Sequence, residues 1–326
     1  MGRSQLQGSS VCLDMTRIFV AGATGVLGRH TLPLLLDAGH EVIGVARTAQ
    51  KRTWLERQGA RPVLLDVFDR DAVRRAVNDA EVIINLTTAV PRSILTILMP
   101  RSWREMARVR RQVSANLADA ALAAGAVRRM IQESFAPIFV DGGDAWLDES
   151  SPVRPERYNR STLDAEAQAE RVSRSGRTGV VLRFALLYGP DDAGTTQMFE
   201  SVRRGMFPLP GRPEGYSSWV SHADAARAIV AALDLPAGVY NVVEDQPMRR
   251  VELAAGMARL LGARPPRFAP AWTARFAGSV VRQLSRSERI SNRKLRSAAD
   301  WSPRYRSTLD GLSAIVGQGT SARMAS

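Results

Sequence analysis

The chain has 326 residues, is 45% hydrophobic and carries a formal net charge of +13 at pH 7. That is enough apolar content for a large packed core and excludes a disordered chain. No run approaches the ~20 apolar residues that a membrane-crossing helix needs, and a single cysteine, Cys12, excludes an intramolecular disulfide.

Of the 45 basic residues only Lys51 and Lys294 are lysine, and the arginines are scattered rather than gathered in one block. This pattern speaks for a coding bias rather than a nucleic-acid surface, so neither nucleic acid nor membrane is expected as a partner. Residues 1–15 are polar and lack the apolar core of a secretory signal. They read as a loose tail, and with the lone cysteine they point to a cytoplasmic protein.

Residues 17–28 read RIFVAGATGVLG. A buried strand over 18–21 runs into three glycines, Gly22, Gly25 and Gly28, and an amphipathic helix follows over 26–37. Strand, glycine turn and helix form a dinucleotide cradle. Gly22 permits the turn, Gly25 lets the backbone meet a pyrophosphate and Gly28 lets helix and strand pack. Thr24, Val26 and Leu27 sit in that turn and at the helix N-terminus, where free N–H groups meet phosphate. A second strand over 40–46 ends at Arg47, with no carboxylate between Glu41 and Glu56. An acid here would hold the ribose of NAD, whereas arginine accommodates the 2′-phosphate of NADP, so NADP is expected over NAD.

A third strand over 62–65 closes on Asp66 and Val67, placed to meet the adenine. A polar helix follows over 69–79 and a fourth strand over 81–86. Leu86 and Thr87 then lie where open α/β sheets hold their ligands. A long helix over 101–124 ends at Gly125, and a fifth strand runs over 129–135. After an irregular stretch, Tyr158 precedes a helix over 160–174, and a sixth strand runs over 179–187. Alternation then fails. The stretch 191–219 reads as a Gly- and Pro-rich loop with Phe207, Tyr216 and Trp219. Asp224 is expected to cap a helix over 225–233. A strand over 238–243, helices over 251–262 and 270–284 (with Trp272 and Phe276), and a frayed tail from Gly317 complete the chain. The βαβ alternation argues for a doubly wound parallel Rossmann sheet, with a smaller C-terminal substrate lobe closing a cleft. The expected division is tail 1–15, dinucleotide-binding domain 16–190, substrate lobe 191–316 with 220–245 returning to the first domain, and tail 317–326.

Several motifs together resemble the extended short-chain dehydrogenase/reductase family, also called the NAD-dependent epimerase/dehydratase family. They are GATGVLG at 22–28, QESFAPIF around Ser134, YNRSTLDAE at 158–166, LRFALLYGP at 182–190 and SWVSHADAARA at 218–228. The resemblance covers roughly residues 16–315. It implies that Tyr158 and Ser134 act on substrate, and that Phe135, Arg183, His222 and Trp219 lie beside it. It further implies a monomer or a homodimer packed through the helices over 101–124 and 160–174.

The family's chemistry rests on a tyrosine, a lysine four residues later and a serine or threonine. Free tyrosine has a pKa near ~10, and an ammonium at i+4 favours the phenolate. Thr162 stands where that lysine belongs, and no lysine lies between Lys51 and Lys294. Phe135 falls where the catalytic hydroxyl usually sits, with Ser134 one position earlier, and Arg110 matches the family's active-site asparagine. A permanent guanidinium could supply part of the missing lysine's electrostatic effect. Three readings follow. The first is an NADP-dependent oxidoreductase acting on a small organic carbonyl or alcohol. The second is a non-redox isomerase, lyase or cyclase that retains its dinucleotide. The third is a protein that senses NADP without catalysis. No metal site is expected, because His30, His40 and His222 are far apart in sequence.

Overall fold

The computed structural model describes residues 15–90, 102–270 and 278–324. Its centre is a seven-stranded, all-parallel sheet. The strands are β1 (Arg17–Ala21), β2 (Glu41–Ala46), β3 (Arg61–Leu64), β4 (Val82–Asn85), β5 (Arg129–Phe135), β7 (Thr178–Phe184) and β11 (Gly238–Val242). A short β6 (Trp146–Leu147) lies outside this sheet, as do β8 (Leu186–Tyr188), β9 (Tyr216–Ser217) and β10 (Trp219–Ser221). Across the sheet the order is β11-β7-β5-β4-β1-β2-β3. The order reverses between β1 and β4, and that switch point opens a crevice beyond the carboxyl ends of the strands.

Both sheet faces are covered, as a sheet of near-continuous apolar strands requires. On one face α1 (Val26–Asp37) packs beside α8 (His222–Ala231), burying Leu32, Leu35, Ala225 and Ile229. Leu55, from α2 (Ala49–Arg57), joins them. The other face carries α3 (Arg70–Ala76), the broken helix over 102–123 and α6 (Ser161–Arg174), burying Val73, Leu117, Met130 and Val172. That broken helix consists of α4 (Ser102–Arg108), a π-helical turn (Val109–Val113) and α5 (Ser114–Ala123).

Beyond β7 the structure departs from the sequence reading in four places. The sixth strand is two, because Ala185 N–H bonds Val242 O while Leu186 N–H bonds Ser218 O. The chain thus leaves the main sheet, and β8 pairs with β10 instead. The Gly- and Pro-rich stretch contains α7 (Ala193–Arg203), begun by Asp192, whose carboxylate accepts Thr195 N–H at 2.7 Å. The cap of α8 is Ser221 rather than Asp224; Ser221 Oγ accepts Asp224 N–H at 3.1 Å. Asp224 instead tethers the chain near its end, accepting Arg304 N–H at 2.9 Å. Within 270–284 only α10 (Gly278–Leu284) is described; Trp272 and Phe276, like Cys12, lie outside the described residues. The expected frayed tail is helical through Met324. The last helix starts from a reciprocal cap between Ser307 and Asp310 and runs over Thr308–Met324.

The lobe has its own core, with Phe207, Trp219 and Met198 packed on Leu253 and Met257 of α9 (Arg250–Leu260). One buried carboxyl joins it to the sheet. Glu244 accepts the Tyr188 hydroxyl at 2.5 Å and the Thr308 hydroxyl at 2.8 Å. Burial pushes its pKa from the ordinary 4.5 up to about 8. The folded chain therefore holds a proton that the unfolded chain releases, so this group's stabilisation is complete below pH 4.5 and is lost as pH rises through about 8. Denaturant midpoints should fall across that window, and Glu244→Gln should remove that part of the slope. An unchanged slope in the variant would assign the dependence to another group.

Candidate active site

The cradle is set by backbone contact. Gly22 has φ +89°, and a Cβ there would lie 2.6 Å from Leu86 O at the end of β4. At Gly28 a Cβ would lie 2.3 Å from Gly22 O and 2.5 Å from the Ala23 carbonyl. The helix can reach its strand only without that atom. Gly25 is the N-cap of α1 and has no side chain to satisfy the first amides. Those amides and the positive end of the helix dipole fit a pyrophosphate. Thr24 is half-buried, Val26 exposed and Leu27 buried.

Arg47 follows β2 directly, is exposed, and makes no hydrogen bond or ion pair among the described residues. Asp66 is exposed, and its Oδ1 accepts Phe68 N–H at 3.0 Å, which makes it a turn former as well as a neighbour of the crevice. Val67 and Leu86 are buried. Thr87 donates its hydroxyl to Asn85 Oδ1 at 2.6 Å. Asn85 in turn donates to Gln132 at 2.9 Å, so the ends of β4 and β5 are tied by side chains. This donor set, with no carboxylate at the end of β2, fits a dinucleotide bearing a further phosphate.

Tyr158 lies in a single 3-10 turn (Arg157–Asn159) ahead of α6, with its ring 4.6 Å from that of Trp103 in an edge-on contact. Burial raises its phenol above the ordinary value, and the nearby Arg110 guanidinium only partly offsets this. The phenol is therefore neutral at physiological pH and can donate a proton but not accept one. Thr162 is fully buried and donates to Asn159 Oδ1 at 2.7 Å. The same oxygen accepts from Arg110 Nη1. The π turn brings Arg110 inward, leaving it 5% exposed, while its neighbour Arg111 turns outward to Asp164 at 2.7 Å. A π turn admits one extra residue and rotates the side chains that follow it, a device common at functional sites. Glu133, on β5, is also buried, and burial raises its carboxyl.

Ser134 and Arg183 converge on Glu166. Ser134 Oγ donates to Oε1 at 2.6 Å, and Arg183 grips both carboxylate oxygens at 2.8 and 2.7 Å. Both expected substrate groups are thus engaged with a third residue that the sequence reading did not assign a role. Phe135 is half-buried at the end of β5. His222 is the first residue of α8 and packs 5.4 Å from the His30 ring. Burial lowers its pKa to about 4, so it is neutral at physiological pH. Trp219 is 6% exposed in the lobe core, its Nε1–H donated to Ser217. Tyr216 lies apart, stacked between Arg249 and Arg289.

Sequence reasoning named Tyr158 and Thr162 and only weakly marked Arg110. It did not mark Asn159, whose side chain joins the other two. Among the described residues no group of three His, Cys, Asp or Glu converges to hold a metal, and no helix is long and apolar enough to cross a membrane. A cavity lined by His40, Arg128, Arg129 and Asp234 lies at the amino-terminal ends of the strands, the opposite end of the sheet from the cradle.

Known proteins agree with this architecture. Over 310 residues the chain is 36% identical to a Streptomyces protein named 3-diazoavenalumate denitrifying reductase, covering 91% of this chain and 99% of that one. A human epimerase family protein solved with NADPH superposes with a TM-score of 0.75 at 20% identity, covering 92% of this chain and 99% of that one. Thermus thermophilus UDP-glucose 4-epimerase, solved with NAD, gives 0.72 at 24% identity, covering 94% and 99%. Residues 18–242 match the family model described as the NAD dependent epimerase/dehydratase family, and the chain belongs to that family.

Proposed function

We propose that the chain is an NADPH-dependent reductase whose acceptor takes hydride without a lysine-assisted proton relay. The observation that carries this reading is the buried Thr162, bonded to Asn159 where the family pattern has lysine. Burial holds the Tyr158 phenol neutral, the form that can protonate a nascent alkoxide.

Gly22, Gly25 and Gly28 would hold the pyrophosphate, with Thr24, Val26 and Leu27 around it. Arg47 would hold the 2′-phosphate, and Asp66, Val67, Leu86 and Thr87 would flank the adenosine and ribose. For Arg47→Ala, NADPH affinity should fall about tenfold or more, the scale of one charge-assisted hydrogen bond, with NADH affinity nearly unchanged. Fluorescence titration with both cofactors reads this. Equal loss for both would remove Arg47 from the phosphate.

The name of the Streptomyces relative suggests the acceptor. Hydride from NADPH onto the ring carbon of an arenediazonium ion, with the C–N bond breaking and its electron pair leaving on N2, gives the arene, N2 and NADP+. No proton is required, which suits a site without the lysine. A second reading, carbonyl reduction, is favoured by Tyr158, whose neutral hydroxyl could protonate the nascent alkoxide. Following NADPH absorbance with an arenediazonium salt and with the matching aldehyde separates the two. Oxidation with neither acceptor would overturn the reductase reading.

A further inference from the structure

Among the described residues the buried guanidinium of Arg110 forms no ion pair, and its nearest acids are Glu133 and Glu166. Its Nη1 bonds the neutral amide oxygen of Asn159, and no carboxylate lies within 4.0 Å of it among the described residues. Of the stretches outside the described residues, 91–101 (PRSILTILMPR) and 271–277 (AWTARFA) contain no acid, and 1–14 contains one, Asp14. Glu166 is committed to Arg183 and Ser134. Glu133 is the remaining carboxyl nearby. Burial favours its neutral form, and its Oε2 has no partner among the described residues.

A buried cation without a paired anion is costly, and folded chains rarely keep one without use. Nε and Nη2 of Arg110 have no partner among the described residues, yet they are absent from the sealed, partnerless atoms. A small group can therefore reach them. Asn159 Nδ2, on the amide whose oxygen accepts from Arg110, is sealed and without a partner among the described residues, so this buried polar network is itself incompletely satisfied. The cofactor does not supply the missing charge, because its phosphates belong to the glycine turn and to Arg47, whereas Arg110 stands beside Tyr158.

We infer that Arg110 is the seat for a carboxylate carried by the substrate, held next to Tyr158. The inference rests on the reductase reading for its choice of site and extends that reading to the substrate's charge. A guanidinium suits the task because its fork of N–H donors matches a carboxylate. Glu133 in its neutral form places no repelling charge beside the seat. The residue before Arg110 is Val109, and the π turn that separates Arg110 from Arg111 is what sends one guanidinium to the site and the other to Asp164.

The test is binding rather than turnover. Protein saturated with NADP+ is titrated with benzoate and phenylacetate, and with benzamide and phenylacetamide, by ligand-observed NMR. The carboxylates should bind at least tenfold more tightly than the amides. Arg110→Met should abolish that preference while leaving NADP+ affinity within threefold, and Arg110→Lys should retain part of it. Should Arg110→Met fail to fold, Arg110→Gln and Arg110→Lys carry the comparison. Equal binding of acids and amides, absence of carboxylate binding, or an undiminished preference in the neutral variants would overturn the assignment. Failure of the wild-type protein to bind NADP+ would instead overturn the reductase reading itself.

Discussion

Gly28→Ala is expected to lose both cofactor binding and stability. The new methyl would sit 2.3 Å from Gly22 O and 2.5 Å from the Ala23 carbonyl. Both are backbone atoms that cannot turn aside, so α1 must move away from its strand. Overpacking of this kind costs about 1–3 kcal/mol, and the movement also withdraws the helix amides from the phosphates. NADPH affinity should drop more than about tenfold, equal to about 1.4 kcal/mol. Gly25→Ala is the control. Its Cβ would meet only Gly22 O, at 3.2 Å, so the denaturation midpoint should barely move while NADPH binding still falls. If Gly25→Ala bound NADPH normally, the pyrophosphate would not lie on this turn.

Glu166→Ala should be the most destabilising single change near the site. Its carboxylate and the Arg183 guanidinium are 11% and 6% exposed as side chains. Removing the acid leaves a buried cation, which costs about 3–5 kcal/mol, and strips the Ser134 hydroxyl of its acceptor. One guanidinium nitrogen, Nη1, already has no partner, so no spare acceptor stands ready among the described residues. Replacing both partners, with Glu166→Leu and Arg183→Met together, should recover most of the loss, because it removes the charges and keeps the volume. Urea denaturation of the two variants measures this. A double variant as unstable as the single would mean that packing around the pair, rather than the stranded charge, sets the cost.

These variants also show what a sequence can carry. The glycine turn was legible because its constraint is local: two positions with no room for a Cβ, Gly22 and Gly28, and a third, Gly25, that bares the helix amides, between an apolar strand and an amphipathic helix. The parallel strands were legible for the same reason, as buried apolar runs between turn signals. What was hidden depended on distant partners. Nothing in VRRQV announces a π turn, since it holds neither Gly nor Pro, and Arg110 and Arg111 look alike until Asp164, 53 residues away, claims one of them. Ser134 meets Glu166 from 32 residues away. At the start of α8 the sequence pointed to Asp224 as the cap, whereas the helix begins three residues earlier and Ser221 caps it. The helix within 191–219 had a local signal, Asp192 three residues before Thr195, masked by the surrounding Gly and Pro.

The family membership fixes a fold and a cofactor class without fixing how the hydride is used. Thr162, Arg110 and Asn159 form a buried network where a lysine would assist the tyrosine, and the proposed chemistry turns on that replacement. The most direct measurement uses NADPH deuterated at C4 with 4-carboxybenzenediazonium, comparing wild type and Tyr158→Phe with a blank lacking protein. The account predicts protein-dependent formation of 4-deuteriobenzoate with release of N2, slowed less than about tenfold by the substitution, well short of the 10²–10⁴-fold that a general acid contributes. Absence of deuterium from the product, or a loss of a thousandfold or more in Tyr158→Phe, would contradict it.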